Sequence, residues 1–287
     1  MKVVTILNFN NTSNATIDFT KKVPYITFPV LSDIPFINHG FSTKLGGVST
    51  GHMASMNLGY GGPMLDDPAN VLENFLLITE SMGIDPNTIV RSWQVHKTNI
   101  RLVTKEDCGK GLYRDRDYNE IDGLISNTPG VTLVTNYADC VPLYFVDPVK
   151  KAIGLSHSGW RGTVQKMGKV TARHMTEAFG SNPDDIICVI GPSICEQCFE
   201  VGEEVASQFN KAFNLKDDSN HIISPNSKGR YQCDLWAANK EVLKEAGIKE
   251  DNIHTSRVCT SCHDELLFSH RKTQGKRGSL AAFLTIK

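Results

Sequence analysis

The chain of 287 residues carries 30 Lys and Arg against 31 Asp and Glu, a formal charge of −1, with 40% hydrophobic and 21% charged residues. These are globular values, outside the disordered and collagen-like ranges. With no charge excess and no Lys/Arg run longer than two, both the electrostatic footprint of a nucleic-acid binder and a polybasic membrane anchor are missing, and small-molecule chemistry is the expectation.

The N-terminal apolar stretch Val3 to Leu7 meets Asn8 at once, too short for a signal-peptide core. Even Val131 to Val146 is broken by Asn136, Asp139 and Pro142, so no run reaches the roughly 18 residues that span a bilayer. A soluble, cytoplasmic protein is expected. Eight Cys are too sparse for a disulfide scaffold, and in a reducing compartment Cys near His more often signals a metal or a nucleophile.

In chain order the spacing predicts a strand at Ile37 to Thr43, then a helix at Pro68 to Met82 with Asp67 as cap and Gly83 as stop. Strands follow at Thr88 to Trp93, Ile100 to Val103, Gly123 to Ser126, Val131 to Thr135, Leu143 to Val146 and Ala152 to Ser156. A helix is predicted at Gly162 to Phe179, a strand at Ile186 to Ile190, and helices at Glu203 to Phe213 and Leu235 to Ala246. The last strand is Leu280 to Ile286. Strands crowding residues 88 to 156 without a helix argue against regular βαβ alternation and for an α+β fold, layered mixed β-sheets covered by helices. The loop-like stretches Lys105 to Asn119 and Lys216 to Lys228 are not linkers, which leaves one domain over residues 1–287.

Reactive side chains gather at three predicted strand ends: SWQVH (Ser92 to His96), NYADC (Asn136 to Cys140) and HSGWRG (His157 to Gly162). His96, Cys140 and His157 lie 44 and 17 positions apart, which fits no local zinc-finger spacing, so they meet only through the fold, if they meet. Two His and one Cys supply N and S donors suited to zinc or copper and leave a fourth position open; alternatively each is an ordinary half-buried residue. Arg161 follows a Gly-containing turn, where the N–H groups of Gly159 to Gly162 and its guanidinium offer an anion site, or it is a surface Arg in a first turn. The stretch Gly154 to Ser158 ends in Ser where a nucleophile elbow needs Gly, and no dinucleotide or Walker A glycine pattern occurs. His263 follows its Cys pair, the reverse of the zinc nucleobase deaminase order.

HGFST at His39 to Thr43 ahead of KLGGVS, QVH at Gln94 to His96, YADCVP at Tyr137 to Pro142, HSGWRG, IGPSI with CFEVG, and LFSHR at Leu267 to Arg271 occur in this order. Together they resemble the YfiH or laccase-domain family, also called multicopper polyphenol oxidoreductase and now regarded as purine nucleoside phosphorylase. The resemblance covers most of the chain. It implies an α+β sandwich with a mononuclear metal, zinc with copper possible, on His96, Cys140 and His157. It makes Asp139 a residue that orients a ligand or relays a proton, or else a turn-capping Asp, His39 a second candidate for proton transfer, Arg161 a charge stabiliser, and His270 and Arg271 pocket residues, with a salt bridge to a helix the alternative for Arg271. Lys44 stands where the family usually has Arg, a cation without the bidentate fork for phosphate. Asn57, in the SMNL run, is either a substrate-facing or a turn-stabilising amide.

The implied activity is metal-dependent phosphorolysis of a purine nucleoside (adenosine, inosine or methylthioadenosine), with adenosine deamination as a second activity; the partners are purine nucleosides and phosphate. The alternatives are a copper polyphenol oxidase, against which nine His without an H-x-H pair count, a hydrolase with Cys140 as nucleophile, and a binding module. Cys195-x-x-Cys198 and Cys259-x-x-Cys262 have the spacing of a closed Cys₄ zinc site. The resemblance accounts for Cys198 and Cys259 and not for Cys195, so free buried thiols are the expectation there.

Overall fold

The computed structural model describes residues 6–8, 14–60, 66–215 and 222–287. Its first sheet has seven strands: β1 (Ile6–Asn8), β2 (Thr16–Asp18), β3 (Tyr25–Thr27), β4 (Ile37–Ser42), β16 (Leu280–Ile286), β8 (Thr132–Tyr137) and β5 (Ile89–Arg91), in that spatial order. All neighbours pair antiparallel except β5 and β8. The second sheet runs β15 (Ile253–Thr255), β11 (Ile187–Ile190), β9 (Val141–Asp147), β10 (Ala152–Ser158), β7 (Gly123–Ser126) and β6 (Ile100–Leu102). Its two outer pairs are parallel and the rest antiparallel. A small antiparallel sheet joins β12 (Glu200–Val201), β14 (Tyr231–Cys233) and β13 (Ile223–Pro225).

The two large sheets pack face to face, and helices cover their outer faces. Alternation along β16 shows why: Leu280, Ala282, Leu284 and Ile286 enter the core between the sheets, whereas Ala281 and Phe283 point the other way, against Phe75 and Ile78 of helix α2 (Pro68–Met82). Successive strand side chains face opposite sides, so a strand buried on both must be apolar throughout. On the far face of the second sheet, Ile125, Leu143 and Phe145 pack with Ala172 and Met175 of α4 (Met167–Phe179) and with Leu243 of α6 (Leu235–Glu245). Short helices α1 (Pro29–Ser32), α3 (Trp160–Val164) and α7 (His270–Thr273) and the longer α5 (Glu203–Phe213) complete the set. Among the described residues no helix is long and apolar enough to cross a membrane.

The α+β class and the helix-covered mixed sheets are as expected. Helix α2 has the predicted bounds, because Asp67 accepts from the Ala69 N–H and Gly83 closes the end at φ 68°. The helix expected at Gly162 to Phe179 is instead two, broken where Lys166 adopts φ 63°. The break lets α3 stand at the end of β10, held by a buried network in which Ser158 donates to Asn239 (2.8 Å) and Asn239 donates to Thr163 (3.0 Å). Strands β1 to β3, β12 to β15 and the small sheet were not anticipated. Of the supposed loop at Lys216 to Lys228, residues 216–221 lie outside the described residues and Ile223–Pro225 is a strand.

Candidate active site

The chain passes from the first sheet to the second between β8 and β9, through Ala138, Asp139 and Cys140, with Asp139 at φ 87°. His157 ends β10, the neighbour of β9. His96 sits on the loop between β5 and β6 at φ 65°. These three pieces converge: the donor atoms of His96, Cys140 and His157 lie within 4.8 Å of one another. The Cys140 Sγ to His96 Nε2 distance is 3.9 Å, and the two imidazoles meet edge to face at 4.8 Å between centroids. Gly159 makes room for them, since a Cβ there would stand 2.8 Å from Cys140 Sγ and 3.1 Å from His96 Cδ2.

Asp122, wholly buried at the start of β7, organises the group and was missed from sequence, where an Asp between Ile121 and Gly123 looks like any turn residue. Its carboxylate accepts from the N–H groups of Val95 (2.9 Å), His96 (2.9 Å) and Lys97 (3.1 Å), fixing the His96 loop. It also pairs with His157 Nδ1 at 2.8 Å. With Nδ1 so engaged, Nε2 of His157 is the nitrogen left for a metal, as in carboxylate–histidine–metal arrangements. Burial raises the Asp122 pKa, but its bond to His157, the His157 charge and the backbone N–H groups outweigh this and hold it below the carboxylate norm. Gln94 ties the same loop to β8, donating to Asn136 O (2.7 Å) and accepting from Asn136 N (2.7 Å).

Burial of Cys140 disfavours a thiolate, yet His157 and His96 overcome that and bring its pKa down to about 6. Burial of His157 likewise opposes charge, and the Cys140 thiolate and Asp122 reverse it, raising the imidazole to about 9. A thiol poised to ionise beside two imidazoles is a metal-ligand set as much as a nucleophile–base pair. The donors suit a borderline-soft divalent ion, and three of them leave a coordination position open.

The group lies on the wall of a cavity of about 810 Å³. Arg91, Arg116 and Arg277 line the same cavity, and among the described residues none of the three is ion-paired to a carboxylate. Arg91 is buried, stacked on Tyr60 (4.7 Å) and held by Asn136 Oδ1 (2.8 Å). Burial, then the neighbouring Arg116, lowers its pKa to about 10, so it stays cationic at neutral pH. The Nε atoms of Arg91 and Arg277 are buried without a partner. Arg277 feels the charges of Asp139 and Cys140, while Arg91 and Arg116 face each other and tyrosines; guanidiniums without an ion pair favour an anion in the cavity. Aromatic wall comes from Tyr60, Trp93, Trp160 and Phe199.

The remaining sequence candidates divide. Asp139, His270 and Arg271 line the cavity. Both Asp139 oxygens are engaged, Oδ1 by the Thr260 hydroxyl (2.7 Å) and Oδ2 by the Arg271 N–H (2.6 Å). Arg271 reaches the carbonyl of Glu200 (2.7 Å) rather than a carboxylate. His39 does not reach the cavity: it is buried on β4, its Nε2 accepts from the Phe28 N–H at 2.9 Å, and its ring stacks on Phe28. Lys44 is also outside, donating to the Asp264 carbonyl. Arg161 is exposed, lies over the Trp160 ring (4.3 Å) and does not line this cavity. Asn57 is the turn-stabilising amide, accepting from Gly59 N (3.1 Å) and Ser279 N (2.9 Å) and donating to Asp66 (3.0 Å). Arg91, Arg116 and Arg277, outside the motifs, line the cavity, and Lys44 and Arg161 do not. Nor are Cys195, Cys198, Cys259 and Cys262 scattered buried thiols: Cys262 is exposed, and the four sulfurs converge.

Three converging donors on the wall of an arginine-lined cavity are the equipment of an enzyme for a small anionic reactant. Residues 38–287 match the family described as multi-copper polyphenol oxidoreductase laccase, and the chain belongs to that family. It is 36% identical over 252 residues to the purine nucleoside phosphorylase YlmD of Bacillus subtilis, covering 86% of this chain and 88% of the relative. It is 34% identical over 215 residues to the adenosine deaminase RL5 of an unknown prokaryotic organism, covering 72% and 78%. The crystal structure of the Bacillus licheniformis hypothetical protein YfiH matches with a TM-score of 0.86 at 31% identity, over 94% of this chain and 99% of that one.

Proposed function

We propose that this protein is a zinc-dependent purine nucleoside phosphorylase acting on adenosine, inosine or methylthioadenosine, with adenosine deamination as a second activity. The observation that carries the reading is that the His96, Cys140 and His157 donors line one cavity with Arg91, Arg116 and Arg277, none of which has an ion-pair partner among the described residues. The names of the relatives support the nucleoside substrate. In phosphorolysis the bond from C1′ to the base breaks as a phosphate oxygen bonds to C1′, giving free base and a pentose 1-phosphate. The three guanidiniums hold the phosphate and spread its charge. Trp93, Trp160 and Phe199 offer flat apolar faces to the purine.

His96, Cys140 and His157 would hold the zinc, which would supply Lewis-acid polarisation when bound. Asp122 keeps His157 oriented, and Asp139 anchors Thr260 and Arg271 beside Cys140 rather than standing free as a base. The polyphenol oxidase reading loses support, because among the described residues no other group of three or more donors contains a His, and multi-copper oxidation needs several His-rich sites.

The test pairs elemental analysis with chromatography of adenosine incubated with and without phosphate. Adenine release that requires phosphate, with zinc lost from Cys140→Ala, is the expected result. A chelated protein that keeps full activity, with Cys140 alkylated at the same rate before and after metal stripping, would make Cys140 a nucleophile and end the zinc reading.

A further inference from the structure

Outside the cavity, the second gathering of metal-ligating side chains is formed by the two C-x-x-C pairs, and the fold explains how they meet. Strands β11 and β15 are parallel neighbours, Ile190 beside Thr255, so the chain leaves both at the same edge of the sheet. Beyond β11 comes the turn bearing Cys195 and Cys198; beyond β15 comes the turn bearing Cys259 and Cys262. A further parallel bridge between Ser193 and Cys259 continues the register into the loops.

The four sulfurs lie within 4.8 Å of one another. Cys198 to Cys262 is 3.5 Å and Cys195 to Cys262 is 3.9 Å. A tetrahedron of sulfurs with metal–sulfur bonds of about 2.3 Å has edges of about 3.8 Å, the size found here. The spacing is too wide for disulfides, whose sulfurs stand about 2.05 Å apart, and too tight for an iron–sulfur cluster, which puts a layer of metal and sulfide between its cysteines. Backbone N–H groups of Cys195 (3.3 Å) and Cys262 (3.4 Å) point at Cys259 Sγ. Such bonds stabilise a thiolate and leave its remaining lone pairs for a metal.

We propose that Cys195, Cys198, Cys259 and Cys262 bind one zinc ion in a closed tetrathiolate site, distinct from the His96, Cys140 and His157 group, that clips the loop after β11 to the loop after β15. With four protein donors it offers no position to a substrate and is structural. Its position gives it a second consequence. Thr260, between two of the ligands, donates to Asp139, and Ile194, next to Cys195, donates its N–H to the Asp139 carbonyl at 3.0 Å. Ile194 and Phe199 also line the cavity. The clip therefore braces the turn that carries Cys140.

The experiment is native mass spectrometry and elemental analysis of the full chain purified without added metal, beside His96→Ala and Cys262→Ser. Two zinc ions per chain are expected, falling to one in each variant, with amide exchange at residues 193–199 and 256–263 accelerated only in Cys262→Ser. His96→Ala leaves the clip intact, so its retained zinc tests the site even where Cys262→Ser fails to fold. Cobalt(II) substituted into His96→Ala adds a signature, a strong thiolate-to-metal absorption from four sulfurs. No metal in His96→Ala, stoichiometric iron there, or an intact mass showing disulfides under anaerobic purification would each overturn the proposal. Because these readouts ignore nucleosides, they stand or fall separately from the phosphorylase assay.

Discussion

The two donor groups of this protein are built from similar side chains and differ in closure. His96, Cys140 and His157 come from three separate segments, supply three donors and open onto a cavity. The four cysteines come from two short turns, bring four sulfurs together, and have one of them, Cys262, at the surface. An open set of donors beside arginines without an ion pair is suited to chemistry; a closed set beside backbone turns is suited to holding loops. The closed group also needs little help, since N–H groups of its own turns serve it, whereas the open group relies on Asp122 from another strand.

The largest effect expected from breaking that distinction is at Cys140. Cys140→Ala removes one of three ligands and with it several kcal/mol of charge stabilisation, so phosphate-dependent base release falls by about 10³-fold. Cys262→Ser, removing one of four ligands, leaves catalysis by the loaded protein within about tenfold of the parent, since its metal touches no substrate. Comparable losses of turnover in the two variants, each with its remaining metal bound, would erase the division between an open and a closed group.

Intermediate effects sharpen the open site. Arg277→Gln deletes a charge-assisted contact worth about 1.5–3 kcal/mol, which predicts a rise in KM for phosphate of about 10- to 150-fold with a smaller change for the nucleoside. Equal changes in both KM values would detach the arginine from phosphate. Asp122→Asn keeps the size of the side chain and loses its charge, and zinc affinity at the open site is expected to fall by about 10- to 100-fold, measured by competition with a chelator. Zinc on the four cysteines does not respond.

How much of this was legible in the sequence depended on whether the signal was local. Helix α2 carries its own cap and stop in Asp67 and Gly83, and its bounds matched. Strands β7 and β16 matched for the same reason, as short apolar runs between turn residues. The break at Lys166 was not legible, because a helical pattern continues through it and tertiary contacts of α3 decide the matter. The His96, Cys140 and His157 triad was visible as motifs but its convergence was not, since nothing at 44 and 17 residues apart reports that a loop, a turn and a strand meet at one place. Arg91, Arg116 and Arg277 were not legible because an arginine in a strand or loop shows which cavity it lines only once the chain is folded. The cysteine pairs went the other way: their spacing was informative, and the family pattern drew attention away from it.

His39 gives the smallest expected effect on turnover and the clearest separation of a motif residue from the site. It belongs to the HGFST run, yet it is 4% exposed and its Nε2 accepts from the Phe28 N–H. Burial lowers its pKa from 6.5 to about 4. The folded state therefore resists a proton that the unfolded chain accepts below pH 6.5, so the contribution to stability is whole above that pH and drains away as pH falls towards 4. The loss amounts to about 3 kcal/mol. His39→Gln replaces the titrating acceptor with an amide carbonyl that can still receive the Phe28 N–H. Denaturant unfolding across pH 4 to 7 is expected to show a slope shallower in His39→Gln by that amount, while phosphorolysis at pH 7 stays within about twofold of the parent, the scale of a surface-neutral change. A collapse of turnover in well-folded His39→Gln would return this histidine to the proton-transfer role that the motif suggests and that its burial denies.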